Sequence, residues 1–105
     1  MIYIANGLSP KMLRQKYKQG SLHWTRLNKN QFKKETKQHM KQGETIINCI
    51  GHNKLAETLG IPYKRITIIL EPGDTLYTIQ DRDNRKGTMI HKQQLRLNII
   101  RYKIE

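Results

Sequence analysis

The run Ile47-Asn48-Cys49-Ile50-Gly51-His52 is largely apolar until it stops at a Gly-His pair, and Asn53 to Gly60 then reads as a helix. A histidine at such a strand-to-helix junction stands beside backbone N–H groups that have no partner within the helix. That position favours an anion such as phosphate. The chain carries 20 Lys and Arg against 8 Asp and Glu, a formal charge of +12. A surplus of that size points to a polyanionic partner: nucleic acid, a nucleotide or an anionic membrane surface. Taken alone, it equally describes a well-solvated basic surface.

Other chemistries find less support in the residues. Cys49 is the single cysteine and lies inside an apolar run, which reads as a small core residue in a reducing cytosol. A Cys49–His52 nucleophilic pair would lack an evident carboxylate to orient the imidazole. The four histidines (23, 39, 52 and 91) are scattered and the lone cysteine offers no ligand pairing, so no zinc site is expected. Neither G-x-x-x-x-G-K-[ST] nor G-x-G-x-x-G occurs. No run approaches the ~18 apolar residues of a membrane span, and the N-terminus lacks the basic start and apolar stretch of a signal peptide. The expectation is a soluble, intracellular protein that needs no membrane.

The elements that must position His52 follow from periodicity. Ile2 to Ala5 is a short strand ended by Asn6-Gly7. Ser9-Pro10 caps a helix that closes at Gly20. Leu22, Trp24 and Leu27 mark a second strand. Asn28 or Asn30 caps a weakly amphipathic helix over 31–42, whose sparse apolar positions are Phe32 and Met40 with Thr36 between them at i+4 spacing, and whose Lys33, Lys34, Lys37 and Lys41 face water or a polyanion. Thr45 to Ile50 reads as a strand buried on both faces. The 52–60 helix ends at Gly60, confirmed by Pro62. Tyr63 to Leu70 and Thr75 to Gln80 are expected to pair as a hairpin through the Glu71-Pro72-Gly73-Asp74 turn. Asp81 to Gly87 is an exposed loop, and Leu95 to Ile104 is a final strand with a bulge at Ile100. The fold class is α/β: one domain over residues 1–105, with a mixed sheet of five or six strands and helices mainly on one face.

Three segments in order resemble one family. They are Tyr3-Ile4-Ala5-Asn6 followed by Ser9, then Ile50-Gly51-His52, then Arg65-Ile66-Thr67-Ile68 through Glu71-Pro72-Gly73-Asp74 to Leu76-Tyr77-Thr78-Ile79-Gln80. Together they look like the viral ring nucleases, small anti-CRISPR proteins of viruses and mobile elements that degrade cyclic tetra-adenylate. The resemblance runs from residue 2 to about 87 and is weakest between 18 and 44. It implies an intimate homodimer in the host cytoplasm, with the ring ligand across the two-fold axis. Such a dimer would carry twice +12, or +24. A symmetric ligand suits an isologous interface that presents each group twice.

Residue by residue, the resemblance makes His52 the catalytic histidine of a reaction that needs no metal and no cofactor. A ribose 2′-hydroxyl attacks its own 3′-phosphate, and the imidazole stabilises the phosphorane or protonates the leaving 5′-oxygen. Asn6, Ser9, Gly51, Arg65 and Gln80 match ligand contacts. Asn6 and Ser9 are explained equally well as a turn former and a helix cap. Arginine at 65 can grip a phosphodiester with two hydrogen bonds. The loop after Gln80 departs from the family, which places an arginine and, three residues later, a glutamate before a glycine. Here Arg82 and Arg85 compete for the arginine role, and Lys86 precedes Gly87. Only Asp81 and Asp83 are available as carboxylates, with Asp83 the possible acid. Three functions therefore remain in competition: a ring nuclease, a protein that sequesters the ring with little cleavage, and a basic nucleic-acid-binding regulator. The few aromatic residues are not spaced as a single-strand stacking platform, which disfavours the third.

Overall fold

A computed structural model describes residues 1–7, 10, 11, 13, 22–50, 54–81 and 97–105. Among them run β1 (Ile2–Asn6), β2 (Leu22–Leu27), α1 (Lys29–Lys41), β3 (Ile46–Asn48), α2 (Lys54–Thr58), β4 (Thr75–Asp81) and β5 (Leu97–Ile104). Pro10, Lys11 and Leu13 are also helical, as the Ser9-Pro10 start predicts. The five strands form one sheet in the order β2-β5-β4-β1-β3. β1 runs parallel to both β3 and β4, whereas β5 is antiparallel to β4 and to β2. The sheet is mixed, as expected.

Strand alternation divides the core into two layers. Ile2, Ile4, Ile46, Tyr77, Ile79 and Ile99 face one side, where Phe32 of α1 and Leu55 and Ala56 of α2 cover them. Tyr3, Ile47, Leu76, Ile100, Tyr102 and Ile104 face the other, covered by Leu13, with Ile68 and Leu70 packed alongside. α1 and α2 thus sit on one face, while the helical Leu13 packs on the other. Burial on two sides explains why β1 and β3 read as near-continuous apolar runs.

α1 begins at a reciprocal capping box. Asn28 Oδ1 accepts from Gln31 N at 2.8 Å, and Gln31 Oε1 accepts from Asn28 N at 2.9 Å. Its sparse apolar side suffices because Phe32 and Thr36 are fully buried, the Thr36 hydroxyl donating back to Phe32 O. A polar chain then ties α1 to the sheet. Arg101 Nη1 donates to Glu35 Oε1 at 2.7 Å, and the Tyr77 hydroxyl donates to the same oxygen at 3.1 Å. His39 Nε2 lies 3.1 Å from Tyr77 Oη, and its Nδ1 lies 2.7 Å from Glu44.

Two expectations are corrected. Tyr63 to Leu70 is not a strand, and the 63–80 hairpin does not form. Tyr63 makes one isolated parallel bridge, to Asn48, and the segment beyond it is largely exposed. Both edges of β4 are already taken, by β1 and β5. The turn also points elsewhere: Asp74 Oδ2 accepts from Glu71 N, and Gly73 (φ 93°) donates to Ile104 O. Apolar alternation in 66–70 serves packing beneath the sheet, where Ile68 and Leu70 meet the second layer. The bulge at Ile100 is also absent. Ile100 pairs in unbroken register with Thr78 on one side and Arg26 on the other. The consecutive isoleucines 99 and 100 simply face opposite layers.

Candidate functional site

Because β1, β3 and β4 are parallel, their carboxyl ends open at one end of the sheet, the place where open α/β sheets characteristically bind ligands. β1 ends there at Asn6, which pairs with Ile79 and is exposed. Gly7 follows, and the next residue of β4 is the exposed Gln80. Their packing is close: a Cβ added to Gly7 would collide with the Gln80 Cβ and lie 2.9 Å from its Oε1. Strand alternation turns Asn6 and Gln80 to opposite faces, so they share this end of the sheet but not one surface.

On the other side of β1, β3 leaves the sheet under tight control. Cys49 N donates to Ile4 O at 2.7 Å, which extends the parallel register past Asn48. The buried Asn48 side chain accepts from Ile50 N at 3.0 Å, a local turn that draws the chain out of the strand. Outside β3, Asn48 O accepts from Lys64 N at 2.8 Å, and Pro62 O accepts from Asn48 N at 3.4 Å. These bonds hold residues 62–64 parallel to β3. Arg65 follows one step later, exposed, at the same end of the sheet as Asn6.

The described residues therefore bring Asn6, Arg65 and Gln80 to the carboxyl ends of the parallel strands. Ser9, Gly51, His52, Arg82, Asp83 and Arg85 lie outside the described residues, and Asp81 is described only as the last residue of β4. Sequence reading passed over Asn48, although an asparagine closing an apolar run is a recognisable turn signal. It also passed over Gly7 as a close-approach glycine and Tyr63 as an exposed ring. Burial pushes the Cys49 thiol above its ordinary range, which disfavours the thiolate that a Cys–His nucleophile needs. Among the described residues no three His, Cys, Asp or Glu side chains cluster to hold a metal ion. No described helix is long and apolar enough to cross a membrane.

A five-stranded mixed sheet with polar residues exposed at its parallel carboxyl ends defines a small α/β fold. Among solved structures it is similar to B116 of Sulfolobus turreted icosahedral virus, with a TM-score of 0.67 over 97% of each chain at 15% sequence identity. At that identity the likeness establishes the fold. No protein-family profile matches the chain, and no curated protein sequence does.

Proposed function

We propose that this chain is a virus- or mobile-element-encoded ring nuclease of the host cytoplasm, binding cyclic tetra-adenylate at a homodimer interface and cleaving it without metal. In doing so it antagonises type III CRISPR signalling. The observation that carries the reading is that Asn6, Arg65 and Gln80, three residues singled out from sequence, lie at the one end of the sheet toward which β3 delivers Ile50, two residues before His52, with Asn6 and Gln80 on opposite faces of it. Likeness in fold to a small viral protein supports the same origin.

In the reaction a ribose 2′-oxygen forms a bond to the adjacent phosphorus while the bond to the 5′-oxygen breaks. The products are a 2′,3′-cyclic phosphate and a 5′-hydroxyl. His52 supplies the proton to the departing 5′-oxygen or steadies charge on the phosphorane. Arg65 and one of Arg82 or Arg85 hold phosphate oxygens, while Asn6, Ser9, Gly51 and Gln80 orient ribose and phosphate. Asp83 is the carboxylate available as the acid that protonates the 5′-oxygen where His52 steadies the phosphorane, and the 2′-hydroxyl proton passes to water.

Incubation of labelled cyclic tetra-adenylate with excess protein in EDTA tests this reading. Linear product that His52→Ala abolishes is expected; an intact ring under single-turnover conditions overturns the nuclease. Lys86 before Gly87, where an acid is expected, favours a second reading in which the ring is sequestered and cut slowly or not at all. Tight binding with full recovery of the ring would select it.

A further inference from the structure

Binding groups for phosphate and ribose leave open how an adenine would be told from another base. Of the aromatic rings in the described residues, Tyr3, Phe32, Tyr77 and Tyr102 are buried, while Trp24 and Tyr63 are exposed. Trp24 lies on β2, the far edge of the sheet from β3. Tyr63 lies at the near edge, bridged to Asn48, two residues before Arg65, and is 51% exposed.

We propose that Tyr63 is a base-stacking platform and that Arg65 takes the phosphate of the nucleotide whose base it stacks, forming a purine-nucleotide subsite at the β3 edge. This inference rests on the adenylate-binding reading above and adds to it the group that recognises the base. Three observations support it. The backbone under Tyr63 is held on both sides, by Lys64 N to Asn48 O at 2.8 Å and by Asn48 N to Pro62 O at 3.4 Å. Just upstream, the buried Ile61 donates its amide to Ala56 O as the chain leaves α2 through Gly60 (φ 71°). A ring on so anchored a backbone gives up little freedom when a base covers it.

The second observation is spacing. The bridge bonds end at Lys64 N, so Arg65 follows one residue beyond them and lies within roughly 7 Å of Tyr63 along the chain. That span is comparable with the distance from a nucleobase to its own phosphate. The third is chemistry. A half-exposed phenol ring offers a flat apolar face, and the neighbouring guanidinium offers a planar fork for a phosphodiester. Stacking on a π-face works for any base, and a purine offers the larger face.

Titration of the full chain with cyclic tetra-adenylate and, in parallel, with linear oligoadenylate tests the subsite. Tyr63→Ala is expected to weaken binding about tenfold to a hundredfold while leaving its salt dependence unchanged. Tyr63→Phe, which keeps the ring, should bind within about twofold of the parent. Arg65→Ala should instead reduce the slope of log affinity against log salt by about 0.7, the loss of one phosphate contact on a single strand. Unchanged affinity of Tyr63→Ala for every adenylate the parent binds overturns the subsite and leaves the ring-nuclease reading standing. Binding of linear oligoadenylate that depends on Tyr63, with no binding of the ring, overturns the ring nuclease and retains the subsite. No adenylate binding at all removes both. Should Tyr63→Ala change the assembly mass and leave adenylate affinity intact, Tyr63 belongs to a protein interface and the subsite falls.

Discussion

Gly7 and Gln80 are in contact across the carboxyl ends of β1 and β4, so close that a Cβ on Gly7 would fall against the Gln80 Cβ. The Gln80 side chain therefore lies against the backbone that leaves β1 just after Asn6. The glycine is needed here for space rather than for an unusual φ, since it is not among the glycines with positive φ.

Gly7→Ala is accordingly expected to force β1 and β4 apart at the site. The cost should be about 1–3 kcal/mol, the usual range for overpacking. Chemical denaturation measures it. A ligand titration of the same variant should show weakened binding, because both Asn6 and Gln80 shift; unchanged stability would mean that the backbone leaving β1 moves aside freely, since rotating the Gln80 side chain does not move its Cβ.

Tyr77 carries a prediction in alkali. Burial first, and then the charge of Glu35 and its hydrogen bond, push the phenol well above its ordinary range, with Arg101 acting in the opposite sense. The folded state therefore keeps a proton that the unfolded chain gives up near pH 10. That contribution to stability is fully present below pH 10 and is lost as pH rises beyond it. Denaturation midpoints between pH 8 and 11 should fall less steeply for Tyr77→Phe than for the parent. At neutral pH the same variant should lose about 1 kcal/mol with its hydroxyl contacts.

Cys49 should be a poor nucleophile. Its thiol is half-buried and pushed upward by burial, so alkylation by iodoacetamide at neutral pH should be slow in the folded protein and fast in denaturant. Cys49→Ser should retain ring cleavage. Abolished cleavage with the fold intact would return the Cys–His pair to consideration.

Asn28 anchors α1 through both halves of its capping box. Asn28→Ala should cost about 1 kcal/mol. For a domain of this size that corresponds to a fall in melting temperature of roughly 4–8 °C by calorimetry. α1 lies on the covered face of the sheet rather than at the strand ends, so ligand affinity should stay unchanged.

Lys86→Glu tests the departure in the loop after Gln80. If an acid before Gly87 takes part in proton transfer, restoring it should raise the single-turnover rate by about 10²-fold or more. Ring affinity should fall at the same time, because one positive charge is replaced by a negative one. An unchanged rate would place the acid elsewhere, with Asp83 the first residue to replace.

Local signals were enough for much of this fold. Apolar alternation and β-branched residues placed β1, β2, β3 and β5; Asn28 was one of two candidate caps for α1; Gly60 and Pro62 marked the exit from α2. These features act within a few residues of chain, so a sequence can display them. Asn6, Arg65 and Gln80 were singled out through the family resemblance, and all three lie at the carboxyl ends of the parallel strands.

Strand partners were not legible, because pairing is decided by residues far apart in the chain. Tyr63 to Leu70 has the residues of a strand, yet the edges of β4 are occupied by β1 and β5, and the segment is left to pack below the sheet. The pair of isoleucines at 99 and 100 suggested a bulge only until two opposed core layers were seen to need one each. By itself the sequence pointed to a basic α/β chain with a candidate histidine and, through the resemblance, candidate ligand contacts. Tertiary structure alone decided that β1, β3 and β4 run parallel. Parallel pairing sends their carboxyl ends to one end of the sheet, where Asn6 and Gln80 stand on opposite faces and Arg65 follows at the β3 edge.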